Sequence, residues 1–200
     1  MTNERRTYGG VCELRAEDGD SCVRLKGYAA VFDSMSEDLG GFRETIRKGA
    51  FHRSIGDGAD VRALVEHDPA RIIGRNKAGT LTLREDDEGL SVDIQPPDTT
   101  AGRDVVESVK RGDLTQMSFG FRTVTDEWHT EGAEQIRTLI DVDLFDISVV
   151  AYPAYPYTSV AQRGLVDWQK SNDGTVRKNL DQMKNKMRAQ KLVDNSPLLA

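Results

Sequence analysis

Residues 144–150 read Leu-Phe-Asp-Ile-Ser-Val-Val, a β-rich run that is largely apolar on both faces of a strand. Side chains alternate faces along a strand. On a regular strand Leu144, Asp146, Ser148 and Val150 share one face, and Phe145, Ile147 and Val149 share the other. Such a strand is buried on both sides. An acid within it is costly unless paired or hydrogen-bonded, which makes Asp146 the most informative carboxylate in the chain. Asp141 and Asp143 lie nearer the start of the segment, where water reaches them more easily.

Other strands surround this one. "YGGVCELRAEDGDSCVRLKGYAAVF" reads as a hairpin turning at an Asp-Gly. In "GTLTLREDDEGLSVDIQPP", Leu81 and Leu83, then Leu90, Val92 and Ile94, alternate with polar residues about a polar turn, which gives a second hairpin. "DVRALVEHD" is a strand that Pro69 stops, and "RIIGR" is short and β-like. A short helix is expected around residues 49–55. The clearest helix is "DTTAGRDVVESVKRGDL": residues 98–100 offer capping side chains, and Ala101, Val105, Val106 and Val109 share a face. Lys110 and Arg111 suit the helix C-terminus, and Gly112 suits the stop after it. Three further strands are expected at 115–125, 135–142 and 144–151. Many short strands with one good helix imply a β-barrel or a compact, mainly β, α+β domain.

Composition limits what such a domain does. The 200 residues carry a net charge of −6, unevenly spread: residues 161–200 hold eight Lys/Arg and four acids, so this tail is +4 and the rest −10. An acidic body argues against nucleic acid as the main ligand. The tail is polar and basic, with Leu180, Met183 and Met187 on one helical face; it reads as an amphipathic helix or a segment that orders on a partner. No apolar run approaches the roughly 20 residues of a membrane span, and the first residues lack a signal-peptide core, so a cytosolic setting is expected. There Cys12 and Cys22 are expected as free thiols. Two cysteines and three scattered histidines make no zinc constellation, and no cofactor or metal is expected.

Three polar residues stand out. In "QMSFGF", Met117, Phe119 and Phe121 share a strand face, while Gln116, Ser118 and Gly120 share the other. Ser118 fits either a solvated polar face or a cleft; Gly120 leaves room beside it for another backbone. His67, in "LVEHDPARIIGR", lies at a strand end and fits either a capping residue or a base, since histidine is the side chain whose ordinary pKa, about 6.5, suits proton transfer near neutrality. Glu66 and Asp68 point to the opposite face from His67 on a regular strand. Asp146 fits either a structural acid or an orienting one. Together the three meet the needs of nucleophilic acyl transfer: a hydroxyl, a base to take its proton, and an acid to fix the base. There is no G-x-S-x-G elbow, so an α/β-hydrolase is not indicated.

"GYAAVFDS", "RETIRKGAF", "ALVEHDPARIIGR", "GLSVDIQPPDTTAGRDVVESVKRGDLTQMSFGF" and "LFDISVVAYPAYP", in this order over about residues 8–160, together resemble the prohead protease family of tailed bacteriophages. The resemblance implies a capsid-maturation serine endopeptidase with a β-barrel core surrounded by helices, similar to the herpesvirus assemblins. It implies packaging in the procapsid, formed in the host cytoplasm, and cleavage of the scaffolding portion of the major capsid protein, then of the enzyme itself. A homodimer is implied by the assemblin likeness. The family's histidine and serine motifs map onto His67 and Ser118. Its third member, usually Glu in Leu-x-Glu-Val-Ser, maps onto Asp146, one methylene shorter. Assemblins use a second histidine instead, which leaves His129, in the polar "DEWHTEGAE", as a rival. Oxyanion donors are expected among backbone amides and an arginine. A catalytic domain over 1–160 and a separate tail over 161–200 follow. The competing reading is a non-catalytic capsid-assembly protein on the same fold.

Overall fold

The computed structural model describes residues 3–6, 14–18, 23–152, 166, 169 and 170. Cys12, Cys22 and almost all of the 161–200 tail lie outside the described residues. The chain divides after Gln162 into two compact units, and every element below belongs to the first. The expected mainly β, α+β class is what the chain adopts: a curled half-barrel sheet with two α-helices.

Among the described residues of this unit, ten strands and two α-helices follow in the order β1 (Glu4–Arg6), β2 (Arg15–Asp18), β3 (Val23–Val31), β4 (Arg43–Ile46), α1 (His52–Gly56), β5 (Arg62–Val65), β6 (Asp68–Arg75), β7 (Leu81–Glu85), β8 (Gly89–Ile94), α2 (Thr100–Arg111), β9 (Gln116–Glu131) and β10 (Glu134–Val150). The two hairpins read from sequence are β2–β3 and β7–β8, and they join as a four-stranded sheet in the order β2-β3-β8-β7. The helix read from sequence is α2. Thr99 caps it by accepting from Gly102 N at 3.2 Å, and Gly112, at φ +80°, ends it.

The larger sheet runs β1-β9-β10-β5-β6. Its axis is β10, where the sequence suggested two strands, 135–142 and 144–151. The structure joins them: Asp143, between the two, pairs regularly with Arg122, and the bulges lie on either side, at Leu139–Val142 and Leu144–Asp146, without breaking the pairing with β9. One long strand then serves two parallel partners: Ile136–Leu139 pair with β4 and Asp146–Val149 pair with β5. Pro69 does not stop this sheet, contrary to expectation. It sits in β6, the edge strand, where a residue without an N–H is tolerated.

The inner face of β9 carries the core. Met117, Phe119 and Phe121 are fully buried and pack with Phe51; the Phe51 and Phe119 rings meet edge-on at 5.4 Å. Beyond Phe121 the same face turns ionic. Arg6 binds Glu4 at 2.7 Å and Glu44 at 2.8 Å, and Arg137 binds Glu4 at 2.8 Å, Glu44 at 3.0 Å and Asp126 at 2.7 Å. Glu4, Arg6, Glu44 and Arg137 are all buried, so each charge depends on the others. The cluster ties β1, β4, β9 and β10 together. Burial acts to raise the Glu4 pKa, but the Arg137 hydrogen bond and the charges of Arg137 and Arg6 outweigh it and hold the carboxyl below its ordinary value.

Removing one member of such a cluster strands the rest. Arg137→Ala is expected to lower the urea-unfolding free energy by roughly 3–5 kcal/mol; a change under about 1 kcal/mol would show that the cluster is not held by mutual charge. Because the Glu4 pKa is depressed in the fold, its contribution is complete above the ordinary value of 4.5 and drains away as pH falls below it. The wild type should therefore lose more stability than Glu4→Gln on acidification through that range, measured by urea titration at each pH.

Candidate functional site

The opposite face of β9 and β10 carries the three residues singled out above. His67 reaches it from a turn. Val65 of β5 pairs with Asp68 of β6, so Glu66 and His67 alone make the connection. Both have positive φ, 55° and 54°, as a type I′ hairpin turn requires. Neither is glycine, and the left-handed region is costly for residues with a Cβ. The surroundings hold them there: Glu66 N donates to Val149 O at 2.9 Å, and Ala151 N donates to Glu66 Oε1 at 2.6 Å. The turn is thus pinned to the end of β10. Glu66 is occupied with this and Asp68 Oδ1 accepts from Ala70 N at 2.9 Å; the carboxylate beside His67 is that of Asp146, from far along the chain.

Asp146 reaches the site through a register change. Leu144 pairs with Phe121 and Asp146 with Gly120, so Phe145 is an extra residue in β10. This corrects the regular alternation assumed from sequence. Leu144 faces the core with Phe121, Ile147 pairs with Phe119 and Val149 with Met117, while Asp146 and Ser148 lie opposite Gly120 and Ser118 on the other face. Gly120 also has a different purpose from the one expected. It admits a carboxylate, not another backbone: a Cβ there would lie 2.1 Å from Asp146 Oδ2 and 2.9 Å from the Phe145 ring.

These placements bring His67, Ser118 and Asp146 together. His67 Nδ1 is 2.5 Å from Asp146 Oδ1, and His67 Nε2 is 2.7 Å from Ser118 Oγ. The His67 and Asp146 side chains are only 8% and 9% exposed, and Ser118 is fully buried. In this setting the imidazole bridges hydroxyl and carboxylate, its two nitrogens serving one each. The Ser118 hydroxyl also donates to the Arg6 carbonyl of β1 at 2.9 Å. One proton therefore has two acceptors, and the contact to β1 competes with the contact to His67. His129 is not part of the group. It is exposed and pairs with Ile136; at about 3.3 Å per residue it lies roughly 35 Å along β9 from Ser118.

Sequence reasoning passed over Ser148 and Arg6. Ser148 Oγ donates to Asp146 Oδ1 at 3.0 Å and lies 3.1 Å from His67 Nδ1. Its signal was the i, i+2 spacing from Asp146 in an apolar strand. Arg6 contributes a backbone atom, for which no residue type is a signal. Among the described residues no group of three or more His, Cys, Asp or Glu is arranged to hold a metal, and no helix is long and apolar enough to cross a membrane.

The family model described as caudovirus prohead serine protease matches residues 11–172. Among solved structures, the bacteriophage T4 capsid assembly protease, gp21, aligns with a TM-score of 0.49 and 10% identity, covering 76% of this chain and 98% of that one. No curated protein sequence matches the chain.

The close approach at Gly120 is testable by a double-mutant cycle. Gly120→Ala is expected to cost about 1–3 kcal/mol in chemical denaturation while Asp146 is present, and much less in an Asp146→Ala background. Equal costs in both backgrounds would show that the carboxylate does not depend on the missing side chain.

Proposed function

Because this chain belongs to the caudovirus prohead serine protease family, a group of capsid-maturation proteases, we propose that Ser118, His67 and Asp146 are its catalytic triad. The reading rests on one observation: an unbroken line of hydrogen bonds from carboxylate through imidazole to hydroxyl. Ser118 Oγ attacks the scissile carbonyl carbon while its proton passes to His67 Nε2. The tetrahedral intermediate collapses, the C–N bond breaks, and His67 returns the proton to the leaving amine. Water then repeats the sequence on the acyl-enzyme: His67 takes its proton, and Ser118 leaves with that proton restored. Asp146 keeps Nδ1 protonated and stabilises the imidazolium formed in each half.

The buried position of Ser118 sets a condition on this chemistry. A peptide carbonyl cannot reach Oγ while the Arg6 carbonyl holds it, so substrate entry requires displacement at that contact. The substrate in this reading is the scaffolding portion of the major capsid protein, and later the enzyme itself, within the procapsid. The basic 161–200 tail would recruit the enzyme to an acidic scaffold or to the shell interior, and a homodimer would be the working form. Confinement raises effective concentration to about the millimolar range, so that even a slow enzyme acts once assembly has enclosed it.

A non-catalytic assembly protein would also bury Ser118, and that burial is the observation in its favour. Labelling with a fluorophosphonate, followed by gel analysis of procapsid maturation, separates the two. The wild type is expected to label and to process its scaffold; Ser118→Ala and His67→Ala are expected to do neither, with Ser118→Ala keeping the wild-type melting temperature. Asp146→Asn should slow turnover by about 10⁴-fold, the cost of the wrong imidazole tautomer in such triads. Normal maturation by Ser118→Ala would remove the enzymatic reading.

A further inference from the structure

We propose that Ser148 is a positioning residue of this site: it fixes the rotation of the Asp146 carboxylate and, through it, the tautomer of His67. The inference deepens the triad reading above and rests on it. Ser148 has no exposed surface, lies directly opposite Ser118 across β9 and β10, and pairs with Leu64 on its other side. Among the described residues its hydroxyl contacts only Asp146 and His67. A fully buried hydroxyl is retained at a cost unless it is bonded, and here its partners are the Asp146 carboxylate and the His67 ring.

The terminal torsion of an aspartate is broad and roughly two-fold, so the backbone alone does not decide where each oxygen points. Three groups decide it for Asp146. Gly120 leaves space for Oδ2. His67 Nδ1 meets Oδ1. Ser148 holds that same Oδ1 from two residues further along β10. The difference between the last two matters. His67 rides on the β5–β6 turn, whereas Ser148 shares a strand with Asp146, so the hydroxyl fixes the carboxylate independently of the imidazole.

The direction of the Ser148 bond also selects a tautomer. Its proton is given to Oδ1, so its lone pairs face Nδ1 at 3.1 Å. Lone pairs accept a hydrogen there and repel a bare nitrogen. Only the Nδ1–H form satisfies both oxygens, and that form leaves Nε2 unprotonated and facing Ser118.

The full-length chain with isotope-labelled histidine gives a readout that needs no substrate. It has three histidines, His52, His67 and His129, and His67→Gln assigns the signal. Ring-nitrogen NMR shifts of the wild type are expected to show His67 protonated at Nδ1 and bare at Nε2. In Ser148→Ala the two tautomers should mix. The maximal rate of Ser118 labelling by a fluorophosphonate should fall roughly tenfold or more, the worth of one hydrogen bond to a charged group, with its half-saturating concentration and the melting temperature little changed. Ser148→Thr, which restores the hydroxyl, should recover both. If Ser148→Ala keeps the wild-type tautomer, the proposal is overturned, whatever happens to the rate. If the tautomer holds while Ser118→Ala still abolishes labelling, this inference alone has failed and the triad stands.

Discussion

The pairing of β9 with β10 is the constraint on which the rest of the molecule depends. Its register decides which side chains enter the core and which form the site. One extra residue, Phe145, lets Leu144 and Ile147 both face the core of Phe121 and Phe119 while Asp146 falls opposite Gly120. Without that bulge Leu144 and Asp146 would share a face, and either a leucine would leave the core or a carboxylate would enter it. A single bulge settles the matter because strand periodicity is two, so one added residue reverses the facing of everything before it relative to everything after.

The two faces of this sheet solve the same problem in different ways. On the inner face, charge is buried as a network of two arginines and two glutamates with Asp126 at its margin. On the other face, one carboxylate is buried with neutral or titratable partners: an imidazole and a hydroxyl. The first arrangement compensates full charges with full charges and serves to hold strands together. The second leaves the proton able to move, because neither the histidine nor the serine fixes charge permanently as an arginine would. The network anchors β1, and β1 supplies the carbonyl that meets Ser118. Structural charge on one face thereby bears on the Ser118 hydroxyl on the other.

Backbone strain is set directly beside the site. Glu66 and His67 adopt left-handed backbone in a two-residue turn, a conformation that glycine or asparagine would take more easily. The bonds from Glu66 to Val149 and Ala151 hold the turn against β10. The strained turn carries the imidazole over the strand that bears Asp146, and this placement is what the triad reading requires of it.

The sequence by itself determined the mainly β class, both hairpins, the capped helix α2 and the identity of the polar residues worth watching. Each of these rests on a local signal: alternation, an Asp-Gly turn, a cap followed by a stop, or a polar side chain among apolar ones. It also showed that Asp146 needed a partner, since an acid in a doubly buried strand has few affordable alternatives. The resemblance of its motifs to the prohead protease family was legible for the same reason, being written in short contiguous segments. Only the tertiary structure decided that β10 is one strand, that Phe145 is a bulge, that Gly120 makes way for a carboxylate, and that Ser148 and the Arg6 carbonyl join the site. These depend on what lies across from each residue, and a chain read along its length carries no direct record of its neighbours in the sheet.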